Sequence, residues 1–204
     1  MAENIIIKKL DNDDDYNKTA QLIYETSVEL FKAMFGKKEK AVPRIAALIR
    51  LDNNIFSRKY ILTALIDNQV AGILVGFDVK KIDKKKVEKD FIKALSFFAQ
   101  IRCLLMLKLS KQILGLDVID FNSIDGLYIQ NLCVDSAHRK KGIGYKLLEH
   151  YISKNNPKGS KNICLDVEST NIGAIRLYKK IGFETYDELF IKPAKITLYK
   201  MRKK

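Results

Sequence analysis

The segment from residue 127 to residue 183 constrains the fold more than any other part of the chain. An apolar run, residues 127–134, leads into a basic glycine turn, Arg139-Lys140-Lys141-Gly142-Ile143-Gly144. The turn opens an amphipathic stretch, with Ile143, Leu147, Leu148, Tyr151 and Ile152 on one stripe. A second strand-like run, residues 162–168, follows, and then Asn171-x-x-Ala174-x-x-Leu177-Tyr178-x-x-x-Gly182-Phe183. A strand feeding a glycine turn that opens a helix leaves the first helical amides unpaired and pointing outwards. That is a geometry for holding a phosphate ester.

Around this segment the pattern predicts one mixed sheet. Residues 5–10 read as a strand, and the acidic cluster 11–15 suits the start of a helix over residues 14–35 that Gly36 stops. A second helix covers 38–51 and contains Pro43, so it either starts late or is kinked. Residues 60–66 and 69–79 form strands joined by the hairpin pair Asp67-Asn68. Residues 80–116 read as one bent helix or two. Strand, helix, strand and short helix then cover 125–135, 142–155, 162–168 and 171–181, and a hairpin around Lys192-Pro193 ends the chain. The expected fold is a single domain over 1–204, of α/β (α+β) class. Its sheet is mixed, mostly antiparallel and twisted, with about seven strands and helices on both faces; a helical insertion, 80–122, separates the third and fourth strands.

Composition narrows the classes. Of the 204 residues, 47% are hydrophobic and 30% charged, the balance of a water-soluble domain. No basic region followed by an apolar run opens the chain, and the most apolar stretch, 94–107, is too short to span a bilayer and contains Arg102. Neither a membrane association nor export is expected. Three cysteines without metal spacing read as free thiols in a reducing cytoplasm, and no metal is expected. Residues 136–204 carry 16 Lys/Arg against 6 Asp/Glu, a net +10 of the chain's +13. This points to an anionic partner on the C-terminal half or to a lysine-rich background. Nucleic acid has only charge in its favour, because no recognition-helix, zinc-finger or RNA-binding signature accompanies it.

The glycine turn admits three other readings. A Walker loop fails on spacing, since Gly144 is followed by Tyr145-Lys146; a dinucleotide fingerprint lacks its third glycine; a tight turn with no ligand stays open. Asn171 and Tyr178, seven residues apart, fall nearly in line two helical turns apart, with Ala174 between them on the same face. A small residue between two polar ones leaves a channel for a thin ligand. A core tyrosine is the plainer reading of Tyr178.

Taken together, these residues resemble the GNAT superfamily of acyl-CoA-dependent N-acyltransferases. Arg139-Lys140-Lys141-Gly142-Ile143-Gly144 meets that family's Arg/Gln-x-x-Gly-x-Gly/Ala signature, and the Asn171 to Phe183 pattern is present without a gap. The resemblance implies an acetyl-CoA-dependent N-acetyltransferase acting by direct attack in a ternary complex. It implies that the amides of Lys140, Lys141, Gly142, Ile143, Gly144 and Tyr145, with Arg139, hold the pyrophosphate of coenzyme A. Leu132, Cys133 and Val134 would pair with the pantetheine arm like an added strand, the amide of Cys133 or Val134 meeting the thioester oxygen. The fourth and fifth strands would splay around the thioester. Asn171 and Ala174 would line the pantetheine, and Tyr178 would be the general acid for the leaving thiolate.

One family feature is missing. The strand Leu127-Tyr128-Ile129-Gln130-Asn131-Leu132-Cys133 has no glutamate to serve as base. Glu25, Glu29, Asp78 and Glu168 are the substitutes, each otherwise a solvated charge. Cys133 reads as a packing residue rather than an acyl carrier. The acceptor would be a small-molecule or peptide amine, with residues 24–27 near Phe31, Met34 and Phe35 as its contacts. The rivals are a protein N-terminal or lysine acetyltransferase and a non-catalytic acyl-CoA sensor. The insertion would be a lid over the acceptor or a homodimer contact.

Overall fold

The structure, a computed structural model, describes residues 4–96, 100–101, 124, 126–191 and 196–204. Seven strands form one sheet: β1 (Ile6–Lys9), β2 (Ile61–Ile66), β3 (Gln69–Asp78), β4 (Gly126–Val134), β5 (Asn162–Glu168), β6 (Glu184–Ile191) and β7 (Ile196–Lys203). Their spatial order is β1-β2-β3-β4-β5-β7-β6. Every neighbouring pair is antiparallel except β4 and β5, which run parallel. The mixed, mostly antiparallel sheet expected from the sequence is therefore present. Asp67 and Asn68 both take positive φ, 49° and 61°, as a tight turn between β2 and β3 requires.

β2 is buried along its whole length and β3 from Val70 to Phe77, so both faces of the sheet are covered. On one face lie α1 (Tyr16–Glu25), α2 (Val28–Phe35) and α3 (Lys38–Ile49), packed over Ile61, Leu65, Ile73, Val75 and Cys133. On the other lie α5 (Ile143–Asn155) and α6 (Ile172–Lys180), over Leu62, Ala64, Leu74, Leu127 and Ile129. The stripe read on α5 is its buried side: Ile143, Leu147, Leu148 and Tyr151 all face this core. Ile143, Leu147 and Leu148 each contribute about 1.5–3 kcal/mol by leaving water, which anchors the glycine turn in front of them.

Two expectations change. The helix expected over 14–35 is two helices, α1 and α2, separated at Thr26 and Ser27. The Thr26 hydroxyl donates to the Ile23 carbonyl at 2.6 Å, the side-chain competition with backbone that ends helices at such residues. Apolar periodicity continues across the break and conceals it. α3 runs from Lys38 straight through Pro43, so a late start is ruled out.

The first helix of the insertion, α4 (Lys84–Ala94), belongs to the wall made by α2 and α3. Asp83 caps it by accepting from the amides of Lys85 and Lys86. Phe91 lies 6.3 Å from both Phe35 and Phe56, ring centre to ring centre, and buried Asp90 accepts from the Asn53 amide at 2.7 Å. The rest of the predicted insertion, 97–99 and 102–122, is outside the described residues, as are Cys103 and the Lys192-Pro193 turn.

The parallel pairing of β4 with β5 is brief. Gly126, Leu127 and Tyr128 face Asn162, Ile163 and Cys164, and beyond that rung the strands diverge. β4 is paired with β3 from Leu127 to Val134, but the register shifts between Val75 and Gly76, so that Gln130 is an extra residue. Such a bulge bends and twists its strand, here at the start of the divergence. Gly76 is needed at that point: a Cβ there would lie 2.6 Å from the Tyr151 ring of α5.

Candidate active site

β4 ends at Val134, and Asp135 redirects the chain by accepting from the Ala137 amide at 2.9 Å. Lys18 of α1 forms an ion pair with Asp135, fastening the α1 wall to the end of β4, and holds the Asp135 carboxyl below its usual range. Arg139 Nε donates to the Val134 carbonyl at 3.2 Å. Lys140 and Gly142 both have positive φ, 64° and 79°, and Gly142 is the N-cap residue of α5. A Cβ at Gly142 would meet no atom within 4 Å, so the space in front of the helix start is open. Lys146 N is the first amide bonded back within the helix, to the Gly142 carbonyl at 3.0 Å. The amides of Ile143, Gly144 and Tyr145 thus face that open space, at the positive end of the helix dipole.

Gly144 has a different reason to be glycine. Its Cβ would stand 3.2 Å from Leu177, 3.7 Å from Val134 and 4.0 Å from Leu132, so it permits α5, α6 and the end of β4 to converge. Lys180 Nζ sits 5.2 Å above the Tyr145 ring and brings the end of α6 beside the turn. The structure therefore brings Leu132, Val134, Gly142, Gly144, Tyr145 and Lys180 to one end of the fork between β4 and β5.

Asn171 caps α6, its Oδ1 accepting from the Ala174 amide at 3.1 Å, and among the described residues its side-chain amide nitrogen has no hydrogen-bond acceptor. Tyr178 is 7% exposed, in the core cluster under the fork, and its ring packs 5.9 Å from that of Phe183. Burial pushes the phenol well above its usual range, so it keeps its proton at neutral pH. Cys133 points to the opposite face, into the cluster under α1–α3, and burial pushes its thiol up to about 11. A thiol held that high is mostly neutral near pH 7 and is a poor nucleophile, in keeping with a packing role.

Three of the four carboxylates named from the sequence are engaged in ion pairs. Glu25 accepts from Lys38 at 3.0 Å and from Gln21 at 2.9 Å; burial alone would raise its pKa, but these partners hold it below the usual range. Glu29 pairs with Lys32 at 3.7 Å on the surface. Asp78 pairs with Lys161 at 2.7 Å; burial opposes its ionisation, and Lys161 with the Lys80 amide more than offsets that. Asp78 also lies opposite Leu127, at the closed end of the fork. Glu168 ends β5, opposite Leu198 of β7.

Residues without an assigned role in the sequence occupy the fork itself. Tyr128 Oη donates to Asp166 Oδ2 at 3.0 Å, across the gap between β4 and β5. Asn131 Nδ2 donates to Thr26 Oγ1 at 2.7 Å, linking β4 to the α1–α2 break. Asn131 is 6% exposed, and its Oδ1 is buried with no partner among the described residues, as is Gln130 Oε1 at the bulge. The period-two alternation of β4 and β5 puts Tyr128 and Asp166 on definite faces, but nothing in it states which residues face each other across a parallel pair.

Among the described residues no cluster of three or more His, Cys, Asp or Glu side chains could hold a metal, and no helix is long and apolar enough to cross a membrane. In fold the chain is similar to an N-acetyltransferase from Staphylococcus aureus, with a TM-score of 0.72 at 19% identity over 97% of this chain and 100% of that one. It is also similar to a chain of the NatC complex bound to Gag peptide and CoA, with a TM-score of 0.54 at 17% identity over 97% and 96%. In sequence, the [ribosomal protein bS18]-alanine N-acetyltransferase of Escherichia coli is 35% identical over 60 residues, 29% of this chain and 40% of that enzyme. The matched stretch spans less than half of that relative. The family model for acetyltransferases (GNAT) matches residues 23–183, well over half of the chain. This chain belongs to the acetyltransferase (GNAT) family.

Proposed function

We propose that this protein transfers the acetyl group of acetyl-CoA to a primary amine by direct attack. The observation that carries the reading is the fork: two strands that diverge just beyond Tyr128, with an open, dipole-positive helix start at Gly142 on one flank. The residues fit coenzyme A. The free amides of Ile143, Gly144 and Tyr145 take the pyrophosphate, and the neighbouring cations Lys140, Lys141 and Lys180 add attraction. The edge of β4 beyond Tyr128, with no strand partner on its β5 side among the described residues, takes the pantetheine amides as a further strand would. Acetyl-CoA supplies an activated thioester, and the protein needs to align it, steady the developing oxygen charge and handle two protons.

Each task has a candidate within the fork. A backbone amide of Cys133 or Val134 meets the thioester oxygen. The Tyr178 phenol, held protonated by burial, donates to the departing sulfur. The acceptor enters from the α1–α2 face, where the unpartnered Asn131 Oδ1 and the Thr26 hydroxyl supply polar contacts for an amine. A peptide α-amine is the acceptor favoured among primary amines, on the strength of the Escherichia coli relative, whose name specifies an alanine of a ribosomal protein.

Calorimetric titration with acetyl-CoA, using ATP and NAD as controls, tests the site. Selective binding of acetyl-CoA is expected, and equal binding of all three would reduce the turn to a basic surface. Gly142→Val is the cleaner of the two glycine variants, since its Cβ meets nothing in the free protein while Gly144 also packs against Leu177. The valine projects where the pyrophosphate lies and strains a positive φ, so acetyl-CoA affinity is expected to fall at least about 10-fold, equivalent to ~1.4 kcal/mol. Unchanged affinity would move the phosphate site elsewhere. A panel of peptides with free N-termini, lysine peptides and cadaverine, read by mass spectrometry, identifies the acceptor class.

A further inference from the structure

The family's missing strand glutamate leaves the acceptor's proton without a destination, and the fork contains one carboxylate that sequence reasoning passed over. We propose that Asp166 is the general base for the acceptor amine, with Tyr128 as its positioning residue. This assignment rests on the acyl-transfer reading above.

Asp166 stands on β5 two residues past Cys164, the last residue paired with β4, so its side chain belongs to the diverging part of the fork. β5 alternates faces: Ile163, Leu165 and Val167 pack under α5 and α6, while Cys164 packs with Phe77, Val79 and Tyr128 on the other face. Asp166 shares that second face. Ile55 and Tyr60 pack against both this cluster and the one beneath α1–α3, so Asp166 lies on the same side of the sheet as Asn131 and Thr26. The acyl donor is approached from the side of the turn and Tyr178, the acceptor from the side of Asp166. The two reactants would then meet across the gap that the strands leave.

The carboxylate is both reachable and fixed. Asp166 is exposed in area, and Tyr128 Oη pins one oxygen at 3.0 Å, leaving the other to accept a proton directly or through a water. The groups that face it are Tyr128 on β4, Cys164 on its own strand, Lys200 on β7, and Tyr186 and Asp187 on β6. Arg202 lies 5.0 Å over the Tyr186 ring. Lys200 is the cross-strand partner of Asp166, yet its ammonium bonds to Asp187 at 2.9 Å. Among the described residues Asp166 is thereby spared the close ion pair that occupies Glu25, Glu29 and Asp78. Its surface is open to a ligand, but the protein packed around it strips solvent and raises its pKa above the usual carboxylate range, while the Tyr128 hydrogen bond and Lys200 oppose the rise. A raised carboxylate is a stronger base, and it stays ionised above its own pKa.

The protons balance. Asp166 takes one proton from the acceptor ammonium, and the freed nitrogen lone pair forms the C–N bond as the C–S bond breaks. Sulfur leaves with the Tyr178 proton, the remaining excess proton on nitrogen returns to Tyr178 through solvent, and Asp166 releases its proton to water. One proton is released per acetyl group.

The test measures acetyl transfer for the parent, Asp166→Asn and Tyr128→Phe from pH 6 to 10 on the same panel of N-terminal peptides, lysine peptides and cadaverine, alongside acetyl-CoA binding. Asp166→Asn is expected to lose on the order of 100-fold near pH 7 while acetyl-CoA affinity stays within about two-fold. For peptide α-amines the loss should shrink as the pH passes about 8, where they lose their proton unaided. Tyr128→Phe removes an influence that lowers the Asp166 pKa, so the acidic limb of its profile should move to higher pH. Parental rates in Asp166→Asn near pH 7, or a loss of equal size at every pH on peptide α-amines, would overturn the assignment. Transfer to cadaverine with none to the peptides would overturn the peptide preference alone and still judge Asp166. Acetyl-CoA binding with no transfer by the parent to any amine would overturn both.

Discussion

Gly126→Ala is expected to lower the melting temperature by about 5–15 °C, from a destabilisation of about 2–5 kcal/mol. Gly126 begins β4 at φ +137°, a conformation that L side chains rarely adopt. A Cβ at this position would lie 2.3 Å from the Asn162 carbonyl oxygen, a backbone atom of β5 that no side-chain rotation can move away. The clash falls on the first of the three rungs that hold β4 to β5. Relief would require those strands to part where the fork is supposed to be closed, so acetyl-CoA affinity should fall along with stability. Differential scanning calorimetry with and without acetyl-CoA measures both. A melting temperature equal to the parent's would show that the rung is dispensable and that the divergence is held elsewhere, for instance by the bulge at Gln130.

Tyr178→Phe should have the opposite profile. The ring packs in the core beside Phe183, and phenylalanine retains that packing, so stability should stay within about 1 kcal/mol of the parent. Removal of the phenol removes the proposed donor to sulfur, and kcat is expected to drop about 10²- to 10⁴-fold with little change in acetyl-CoA affinity. Because burial raises the Tyr178 pKa above its ordinary value, the parent's activity should show no loss attributable to this phenol up to about pH 10, the ordinary tyrosine value. Equal kcat in mutant and parent would leave Tyr178 as a core residue, the plainer reading its pattern allows. Pre-steady-state measurement of thiol release separates the two cases, since product release can mask a slowed chemical step.

These two variants test different levels of the same design. Gly126 acts through strand geometry, and the turnover effect of Tyr178 acts through a single oxygen. The Gly142 and Asp166 variants fall between them, one on the proposed phosphate side of the fork and one on the proposed acceptor side. A result in which Gly142→Val loses the cofactor while Asp166→Asn keeps it would separate donor binding from acceptor activation within one site.

Local chemistry made some elements legible and left others hidden. Asp67 and Asn68 tolerate positive φ, so the β2–β3 hairpin could be read directly. Gly142 and Gly144 marked the turn, though only the structure shows that the first opens space and the second closes a packing contact. The break between α1 and α2 escaped because Ile23, Val28 and Phe31 continue an apolar period through Thr26 and Ser27. What ends the helix there is a hydroxyl bonding to backbone, which periodicity does not register. Of the acids that their elements made candidates for the base, Glu25 and Asp78 are engaged by lysines brought from other elements, and Glu29 by Lys32 one turn along its own helix.

By itself, then, the sequence determined which segments are strands and helices over most of the described chain, where the glycine turn that opens a helix lies, and the family to which its motifs point. These depend on interactions within a few residues: alternation, capping and backbone freedom. The tertiary structure alone decided that β7 inserts between β5 and β6, that β4 and β5 share only three rungs, and that Tyr128 meets Asp166 across a sequence separation of 38. Pairing between distant strands is set by how whole faces pack and by loop closure, and no local pattern encodes which residue will stand opposite which.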